Sequence, residues 1–566
     1  MNHETMRLLE QQFDTAFAAP DGIQKLRELI LTLAIQGKLV PQDPNDQPAS
    51  ELLKAIEVEK KRLVKEGKIK QPKPLPEIKQ EEVPHVLPHS WKWLRLGDFG
   101  IWKSGTTPSR TNSSYYGGEI PWVKSGEVKQ GKIRETEEKI THEALQNCSL
   151  TLNPIGSILI AMYGANIGEA GVLEIEATTN QAVCACQTYS GIDNIFLLYL
   201  IVSLKQNFNA QGAGAAQPNI SREKIIHTLA PLPPLAEQRR IVAKIDQLMA
   251  RCDQLEKLRS DRAQKLITVH TAAIAHLLTA QDSHDFSTAW RFITQHFSEL
   301  YSVKETVAEL RKTILQLAVM GKLVPQDPND EPASELLKEI ELEKQRLVKV
   351  GKIKQSKPLP AIKREEVPYE LPKGWKWLRL GNVGAFERGR SKHRPRNDKC
   401  LFDDGLYPFV QTGDVSRSKS TKNIINTCSS YYNDFGLQQS RLWTKGTLCI
   451  TIAANIAETG FLGIDACIPD SVVAFLSIDE SLSKLVKLFI DVAKQDLEHY
   501  APSTAQKNIN LGIINDLIFP LPPLAEQHRI VAKVDQLMAL CDRLEAAISA
   551  AQAKQTGLLN AVMAQV

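Results

Sequence analysis

Read for its hydrophobic period, the chain opens in helix. Leu26, Leu29, Ile30 and Leu33 share one face of a 3.6-residue period that stops at Gly37, a residue suited to the left-handed turn that ends helices. A second amphipathic helix is predicted from Ser50, as its N-cap, to Gly67. Leu52, Leu53, Ile56 and Leu63 fall on one side of it and Glu57, Glu59, Lys60, Lys61 and Arg62 on the other. The stretch IKQPKPLPEIKQEEVPHVLP that follows is rich in proline and charge and reads as a stiff, extended linker. Over about 101–216, and again over about 385–505, short β-branched runs alternate with turn residues, which predicts small strand-rich domains. Beyond Pro233-Pro234 no Gly or Pro interrupts the chain until well past residue 270. Ile241, Ile245, Leu248, Cys252 and Leu255 recur there at steps of four and three, the seam of a coiled coil. A helix from about 235 to 280 would be about 70 Å long. Ile530, Val534, Leu537, Cys541, Leu544 and Ile548 repeat the seam after Pro522-Pro523, whose rings favour helix starts.

The recurrence is general. GKLVPQDPND stands at 37–46 and again at 321–330, and the match runs from Leu26 to Gly100 and from Leu310 to Gly384 at a constant offset of 284. PLPPLAEQRRIVAKIDQLMARCDQLE begins at Pro231, and PLPPLAEQHRIVAKVDQLMALCDRLE at Pro520. The chain is therefore a tandem duplication in which two near-identical frames carry two divergent inserts. Equivalent frames should meet equivalent partners, and divergent inserts should meet different things; faster drift in loops is the plainer alternative. The segments are a helical block and linker (1–100), a first insert (101–230), a long helix (231–280), a joint and second helical block (281–384), a second insert (385–519) and a second long helix (520–566). Residues 281–305 have no counterpart after Val566. Two long helices with matching seams most simply pack against each other as a strut. The duplication then places Leu26 near the helix end at Val566.

Composition narrows the function classes. The chain has 566 residues, 43% of them hydrophobic, and 69 Lys+Arg against 65 Asp+Glu, a net charge of +4. A disordered chain and a polycationic coat are both excluded. The longest clearly apolar run, Ile195–Val202, is far shorter than the roughly 20 residues of a membrane span. The N-terminus shows no basic region followed by an apolar one, so the expected location is cytoplasmic with no membrane partner. The nine cysteines are scattered, and Cys184-Ala-Cys186 is neither a zinc knuckle nor a redox CxxC, so they read as reduced, mostly buried small hydrophobes. No GxxxxGK[ST] loop is present. Asn153-Pro154-Ile155-Gly156 lacks the second proline and aromatic of an adenine methyltransferase motif, and His142-Glu143-Ala144-Leu145-Gln146 lacks the second histidine of a zinc protease helix. No active site is legible.

Four motifs, each present twice, carry a family resemblance. WKWLRLG opens the variable segment, and P-[WF]-V-x-[ST]-G-[ED]-V lies within it, as Pro121–Val128 and Pro408–Val415. Q-x-N-I closes it, as Gln217–Ile220 and Gln506–Ile509, and PLPPLAEQ leads into the long helix. Over nearly its whole length the chain resembles the specificity subunit of Type I restriction-modification systems. The resemblance implies an α/β fold of two strand-rich target recognition domains joined by two long antiparallel coiled-coil helices in a pseudo-two-fold tandem duplication. It also implies a subunit without chemistry of its own, reading one half of a split, asymmetric double-stranded DNA target with each domain. Two methyltransferase subunits and two restriction subunits would be its partners. S-adenosylmethionine, ATP and Mg would be bound by them, and no cofactor or metal by this chain.

DNA recognition needs phosphate contacts from Lys, Arg and hydroxyls and base-edge contacts from Arg, Lys, Asn and Gln. Residues 385–400 hold six Lys/Arg and two Asp/Glu, and Arg388, Arg390, Lys392, Arg394 and Arg396 are the candidates there, although a basic run can equally be a solvated face. The hydroxyl-rich equivalent in the first insert offers Lys103, Thr106, Thr107, Ser109 and Arg110, or else a plain surface turn. Lys124, Ser125, Gln411 and Thr412 occupy matched places and differ in type, as base-reading positions should; ordinary strand-end polar residues would look the same. Tyr163, Asn166, Asn180 and Gln181 follow Gly- or Thr-rich turns. Gln217, Asn219, Gln506 and Asn508 are shared by both halves and fit a backbone or frame role. Two other classes stay open: a single-chain modification enzyme, and a coiled-coil scaffold that binds only proteins.

Overall fold

The computed structural model describes residues 3–212, 218–353, 355, 358–499 and 509–564. Its contacts gather into two units, Met1–Arg262 with Ala551–Val566, and Ala263–Ala550. Each unit thus holds one copy of the frame, one insert and the last turns of the other copy's long helix. The helix Leu235–Thr279 begins in the first unit and ends in the second, and Leu524–Met563 does the reverse.

Within the first unit the repeated motifs converge on one joint. Helix Gly22–Ile35 ends where Gly37 takes a φ of 69°, and the N–H groups of Lys38 and Gly37 turn back to the carbonyls of Leu33 and Ala34 at 2.9 and 3.2 Å. The next helix, Ala49–Lys65, starts after Pro48, so Ser50 lies inside its first turn rather than capping it. Pro48, extended at φ −65°, already sets the entry angle. Strand Lys92–Arg95 of WKWLRLG pairs antiparallel with Leu229–Leu232, placing Trp93 opposite Pro231. Trp91 donates its indole N–H to Glu237 Oε2 at 2.9 Å, the other carboxylate oxygen accepts from Gln42 Nε2 at 2.6 Å, and Arg240 pairs with Asp46 at 2.5 Å. Arg95 donates to the carbonyls of His227 and Pro76 at 2.8 and 3.3 Å and pairs with Glu82 at 2.8 Å, which clamps the proline-rich linker down.

The second unit repeats the joint bond for bond. Trp375 and Gln326 donate to Glu526 at 2.8 and 2.7 Å, Arg529 meets Asp330 at 2.5 Å, and Arg379 pairs with Glu366 at 2.9 Å. Strand Lys376–Arg379 pairs with Ile518–Leu521. WKWLRLG, PQDPND and PLPPLAEQ recur together because they form a single contact.

The seam of each long helix is used first inside its own unit. Ile241, Ile245 and Cys252 are buried in one core with Ile23 and Ile30 of the frame helix and Phe196 and Leu197 of the first insert. Arg27 of the frame helix ties this packing to the long helix through Asp253 and Glu256 at 2.6 and 2.8 Å. Leu255, the next seam position, is 44% exposed, so the seam does not continue through it. In the second unit Ile530, Val534 and Cys541 share a core with Ile314 and Leu317, and Arg311 reaches Asp542 and Glu545 at 2.7 and 3.2 Å.

Residues 281–305 do have a structural counterpart, at the N-terminus. Helix His3–Phe17 precedes the first frame helix as Ser283–Gln295 and Phe297–Leu300 precede the second, Lys304–Val319. The Phe13–Phe17 ring pair at 4.6 Å matches Phe297–Tyr301 at 4.7 Å. Phe17 and Leu29 are buried with Leu559, and Leu26, Leu558 and Met563 pack around them, so the chain's two ends meet in the first unit.

Each insert is a pair of small sheets. In the first, a five-stranded sheet runs Gly100–Ser104, Val183–Thr188, Ile158–Ala161, Ala170–Leu173, Lys132–Ile133, beside a three-stranded sheet of Glu138–Ile140, Tyr116–Val123 and Thr178–Thr179. The second insert has the same order in its five-stranded sheet: Ala385–Arg388, Val472–Leu476, Leu448–Thr451, Thr459–Leu462, Ile424–Ile425. Its companion sheet is Ser430–Tyr432, Tyr407–Phe409, Ala466–Cys467, Leu442–Trp443. Both central strands of the large sheets are buried on both faces, which explains the apolar runs Ile158–Ala161 and Leu448–Ile450 within them. The apolar run at 195–202 lies in the buried helix Asn194–Ser203. Among the described residues no helix is long and apolar enough to cross a membrane.

Candidate nucleic-acid interface

The first strand of each large sheet leaves the sheet by passing tightly against the turn before the strand that neighbours it. A Cβ on Gly105 would stand 2.2 Å from the carbonyl oxygens of Thr179 and Asn180, and one on Gly389 would stand 2.3 Å from those of Ile468 and Pro469. Only glycine fits such an approach. Gly105 and Gly389 donate to the Val183 and Val472 carbonyls, each at 2.9 Å, and Thr106 and Arg390 to the Thr179 and Ile468 carbonyls at 2.9 and 3.0 Å. These bonds fix the equivalence of the two domains. Ser104 corresponds to Arg388, Thr106 to Arg390, and Gln181 to Asp470.

In the first domain this arrangement separates the candidates. Lys103 is exposed and forms no ion pair with any described residue. Arg110 pairs with Glu138 at 2.8 Å and lies over the rings of Tyr116 and Trp122, 4.4 and 5.3 Å from their centroids. Lys124 pairs with Glu137 and Glu138 at 2.7 and 3.1 Å. The Glu138 carboxyl is accordingly held below its ordinary range, first by Arg110 and then by Lys124. Two of the domain's candidate cations are therefore already neutralised. Thr106 turns its hydroxyl to the Ser149 carbonyl at 3.0 Å, and Ser109 hydrogen-bonds Thr111 at 2.7 Å, while the hydroxyls of Thr107 and Ser125 have no described partner. Asn180 caps its own turn, accepting from the Ala182 N–H at 3.1 Å, whereas Gln181 is exposed and free of such contacts.

The second domain is more basic and differently tied. Arg388 donates to the Asp470 carbonyl at 2.9 Å, and Arg396 pairs with the Asp470 carboxylate at 2.6 Å, with Arg394 4.0 Å from it. Arg394 also donates to the carbonyls of Ser391 and His393 at 2.5 and 2.8 Å. The Arg390 guanidinium and the Lys392 ammonium are exposed without a described partner. His393 pairs with Asp398 at 2.9 Å, and the other Asp398 oxygen accepts from the Cys400 N–H at 3.1 Å, so this carboxylate is spent on holding the turn.

The matched motif P-[WF]-V-x-[ST]-G-[ED]-V is a buried acid that caps the turn bearing the candidates. Glu127 accepts from the Lys124 N–H at 2.7 Å and Asp414 from the Gln411 N–H at 2.8 Å. Gln411 spends its amide on Ser430 at 3.2 Å, and Thr412 opens the helix Thr412–Arg417. Tyr163 is 42% exposed and bridges Asn219 through the backbone, while Gln217, Gln506 and Asn508 lie outside the described residues. Asn153, in the sequence that resembled a methyltransferase motif, is buried and donates its amide to the Ala177 carbonyl at 3.1 Å.

Two residues escaped sequence reasoning. Asn455 is the counterpart of Asn166, each just before a buried isoleucine, Ile456 or Ile167, and Asn455 donates to Ser416 at 3.0 Å. The repeated Ala-Asn-Ile, at 165–167 and 454–456, was the signal that could have found it. The loop around Asn166 bends through Gly164 and Gly168 at φ 67° and 79°, and that around Asn455 through Ala454 and Ala457 at 63° and 58°. Asp470 carried no signal, because its meaning depends on arginines more than seventy residues away.

Against known proteins, the model of the family "Type I restriction modification DNA specificity domain" matches residues 88–264 and 372–551, once over each insert and most of the following long helix. The chain belongs to this family of specificity subunits. It is 35% identical over 571 residues to the Type I restriction enzyme EcoAI specificity subunit of Escherichia coli, covering 96% of this chain and 93% of that one. It is 33% identical over 578 residues to the EcoEI specificity subunit of the same species, with the same coverage of 96% and 93%. A solved HsdS subunit from Thermoanaerobacter tengcongensis aligns at 20% identity and a TM-score of 0.45, over 86% of this chain and 99% of that one. A specificity subunit recognises DNA and recruits methyltransferase and restriction subunits without catalysing a reaction; S-adenosylmethionine, ATP and Mg are the business of those partners.

Proposed function

We propose that this specificity subunit reads a bipartite, asymmetric double-stranded DNA target, one half with residues 101–230 and the other with 385–519. The frame blocks 1–100, 231–280, 281–384 and 520–566 hold the two domains and dock two methyltransferase and two restriction subunits, in the cytoplasm. The observation that carries this reading is the contrast between the joints and the loops. Trp91–Glu237–Gln42 and Trp375–Glu526–Gln326 are the same, while the equivalent loop ends are Ser104 and Arg388, Thr106 and Arg390, Gln181 and Asp470.

Lys103, Arg390 and Lys392 supply phosphate contacts, being cations without a described partner. Arg388, Arg394 and Arg396 face DNA with the edges that Asp470 leaves open. Gln181, Ser125 and Thr107 sit on the loops around them, Thr412 at the start of its helix, and Asn166 and Asn455 in the Ala-Asn-Ile that both domains share, with Thr106, Ser109, Arg110, Lys124, Tyr163, Asn180 and Gln411 shaping the same surface. Mapping methylated adenines in DNA from cells carrying the system tests this: one split motif is expected, and exchanging 101–230 for the corresponding segment of a relative should change one half of it alone. Methylation without a split motif, or a swap that alters both halves, would refute it. The mass of the purified methyltransferase assembly should equal two methyltransferase chains and one of these.

A further inference from the structure

Resting on the reading of 385–519 as a DNA-reading domain, we infer that Asp470 is a positioning residue that holds Arg396 in the pose in which it reads a guanine in the second half-site. Its own backbone is immobilised first. The Ile468–Ser471 turn is clasped by the first strand through Arg390 N–H to Ile468 O at 3.0 Å and Gly389 N–H to Val472 O at 2.9 Å, and closed by Val472 N–H to Pro469 O at 3.0 Å. From that turn Asp470 meets three arginines: Arg388 through its carbonyl, and Arg396 and Arg394 through one carboxylate oxygen at 2.6 and 4.0 Å.

The pairing is not mere neutralisation of a basic run. The side chain of Arg396 remains 49% exposed, and of the five N–H donors of its guanidinium Asp470 takes one. A guanidinium fixed from one side and open on the other is arranged for bidentate donation to guanine O6 and N7. The second Asp470 oxygen, Oδ1, is buried and accepts no hydrogen bond from any described residue. The equivalent position in the first domain is Gln181, exposed and without a described partner, and Ser104 and Thr106 stand where the second domain has Arg388 and Arg390. The same backbone site thus carries an arginine holder in one domain and a free amide in the other, as expected where the two half-sites differ.

The test uses the full chain assembled with its methyltransferase. The readouts are genome-wide methylated adenines and, for oligonucleotides bearing single mismatches, relative methylation rates. The wild-type protein in the same experiment must yield a split motif; without one, the reading of the domain fails before Asp470 is questioned. Given that motif, Asp470→Asn, which keeps the shape, is expected to relax one guanine of the second half by about ten- to a hundredfold. The first half should be untouched. Arg396→Gln, at an exposed position that bears on no core, should relax the same base, whereas Arg390→Ala should weaken methylation uniformly and lower its salt sensitivity. Unchanged discrimination in Asp470→Asn or Arg396→Gln, relaxation at different bases in the two, or equal relaxation of both halves would overturn the assignment.

Discussion

Removing a single N–H from the frame tests whether the duplicated joint rests on a charged hydrogen bond. Trp91→Phe keeps an aromatic ring at a site that is 3% exposed and deletes the donor to Glu237, whose side chain is fully buried. Gln42 remains the carboxylate's direct side-chain donor. A hydrogen bond to a charged group contributes about 1.5–3 kcal/mol, and the smaller ring adds a cavity cost, so the expected loss is about 2–4 kcal/mol. Burial raises the Glu237 carboxyl above its ordinary value of 4.5, against the pull of Trp91 and Gln42. The folded chain therefore holds that proton to higher pH than the unfolded chain, and stability falls as pH rises from about 4.5 through the raised value. Deleting Trp91 pushes the value higher still and widens that window. The variant should cost more at pH 8 than at pH 5, because the lost indole N–H favours the charged form of the carboxyl over the neutral one.

Hydrogen exchange read peptide by peptide suits a chain of two units better than one global transition. Protection around strand Lys92–Arg95 and the first turns from Leu235 should fall by about 30- to 1,000-fold at pH 8, at 1.4 kcal/mol per decade. The second unit should be unaffected. Trp93→Phe, whose indole donates only to the neutral His85 carbonyl at 3.3 Å, is the control, with an expected cost of about 1 kcal/mol and no pH dependence. Equal protection in Trp91→Phe and wild type at pH 8, or equal losses at both pH values, would refute the reasoning.

Glu138→Ala frees Arg110, while Lys124 keeps Glu137 at 2.7 Å, and should steepen the salt dependence of DNA binding by about one counterion, seen in anisotropy titrations of the assembled methyltransferase, with stability changed by less than about 1 kcal/mol because the Arg110 pair lies at the surface. Ile241→Ala and Ile530→Ala, at positions 1% and 0% exposed, should each cost about 2–4 kcal/mol in urea unfolding and add in the double variant, while Leu255→Ala, 44% exposed, should change stability by under about 0.5 kcal/mol. Ala454→Gly relieves a left-handed residue at φ 63° and should stabilise the second unit by about 1 kcal/mol in the same measurement.

Local pattern and self-similarity alone determined much of this protein. The duplication, the helix stop at Gly37, the two long helices and the strand-rich inserts follow from residue type and spacing, because helix ends and periodicities are set by neighbours within a few positions. The repeated motifs also announced that something was shared, though not what: Trp91 finds Glu237 at a separation of 146 residues, and no local rule pairs them. Tertiary structure alone decided which charges are available. Lys103 and Arg110 looked alike in a run of candidates, yet Glu138 takes one and leaves the other. Leu255 fits the seam by spacing and is left exposed because the partner core ends at Cys252. Asp470 drew no notice until folding brought it against three arginines. A sequence fixes the donors and acceptors a chain owns, but ion pairs and hydrogen bonds act over a few ångströms, and which groups come that close is settled only by packing.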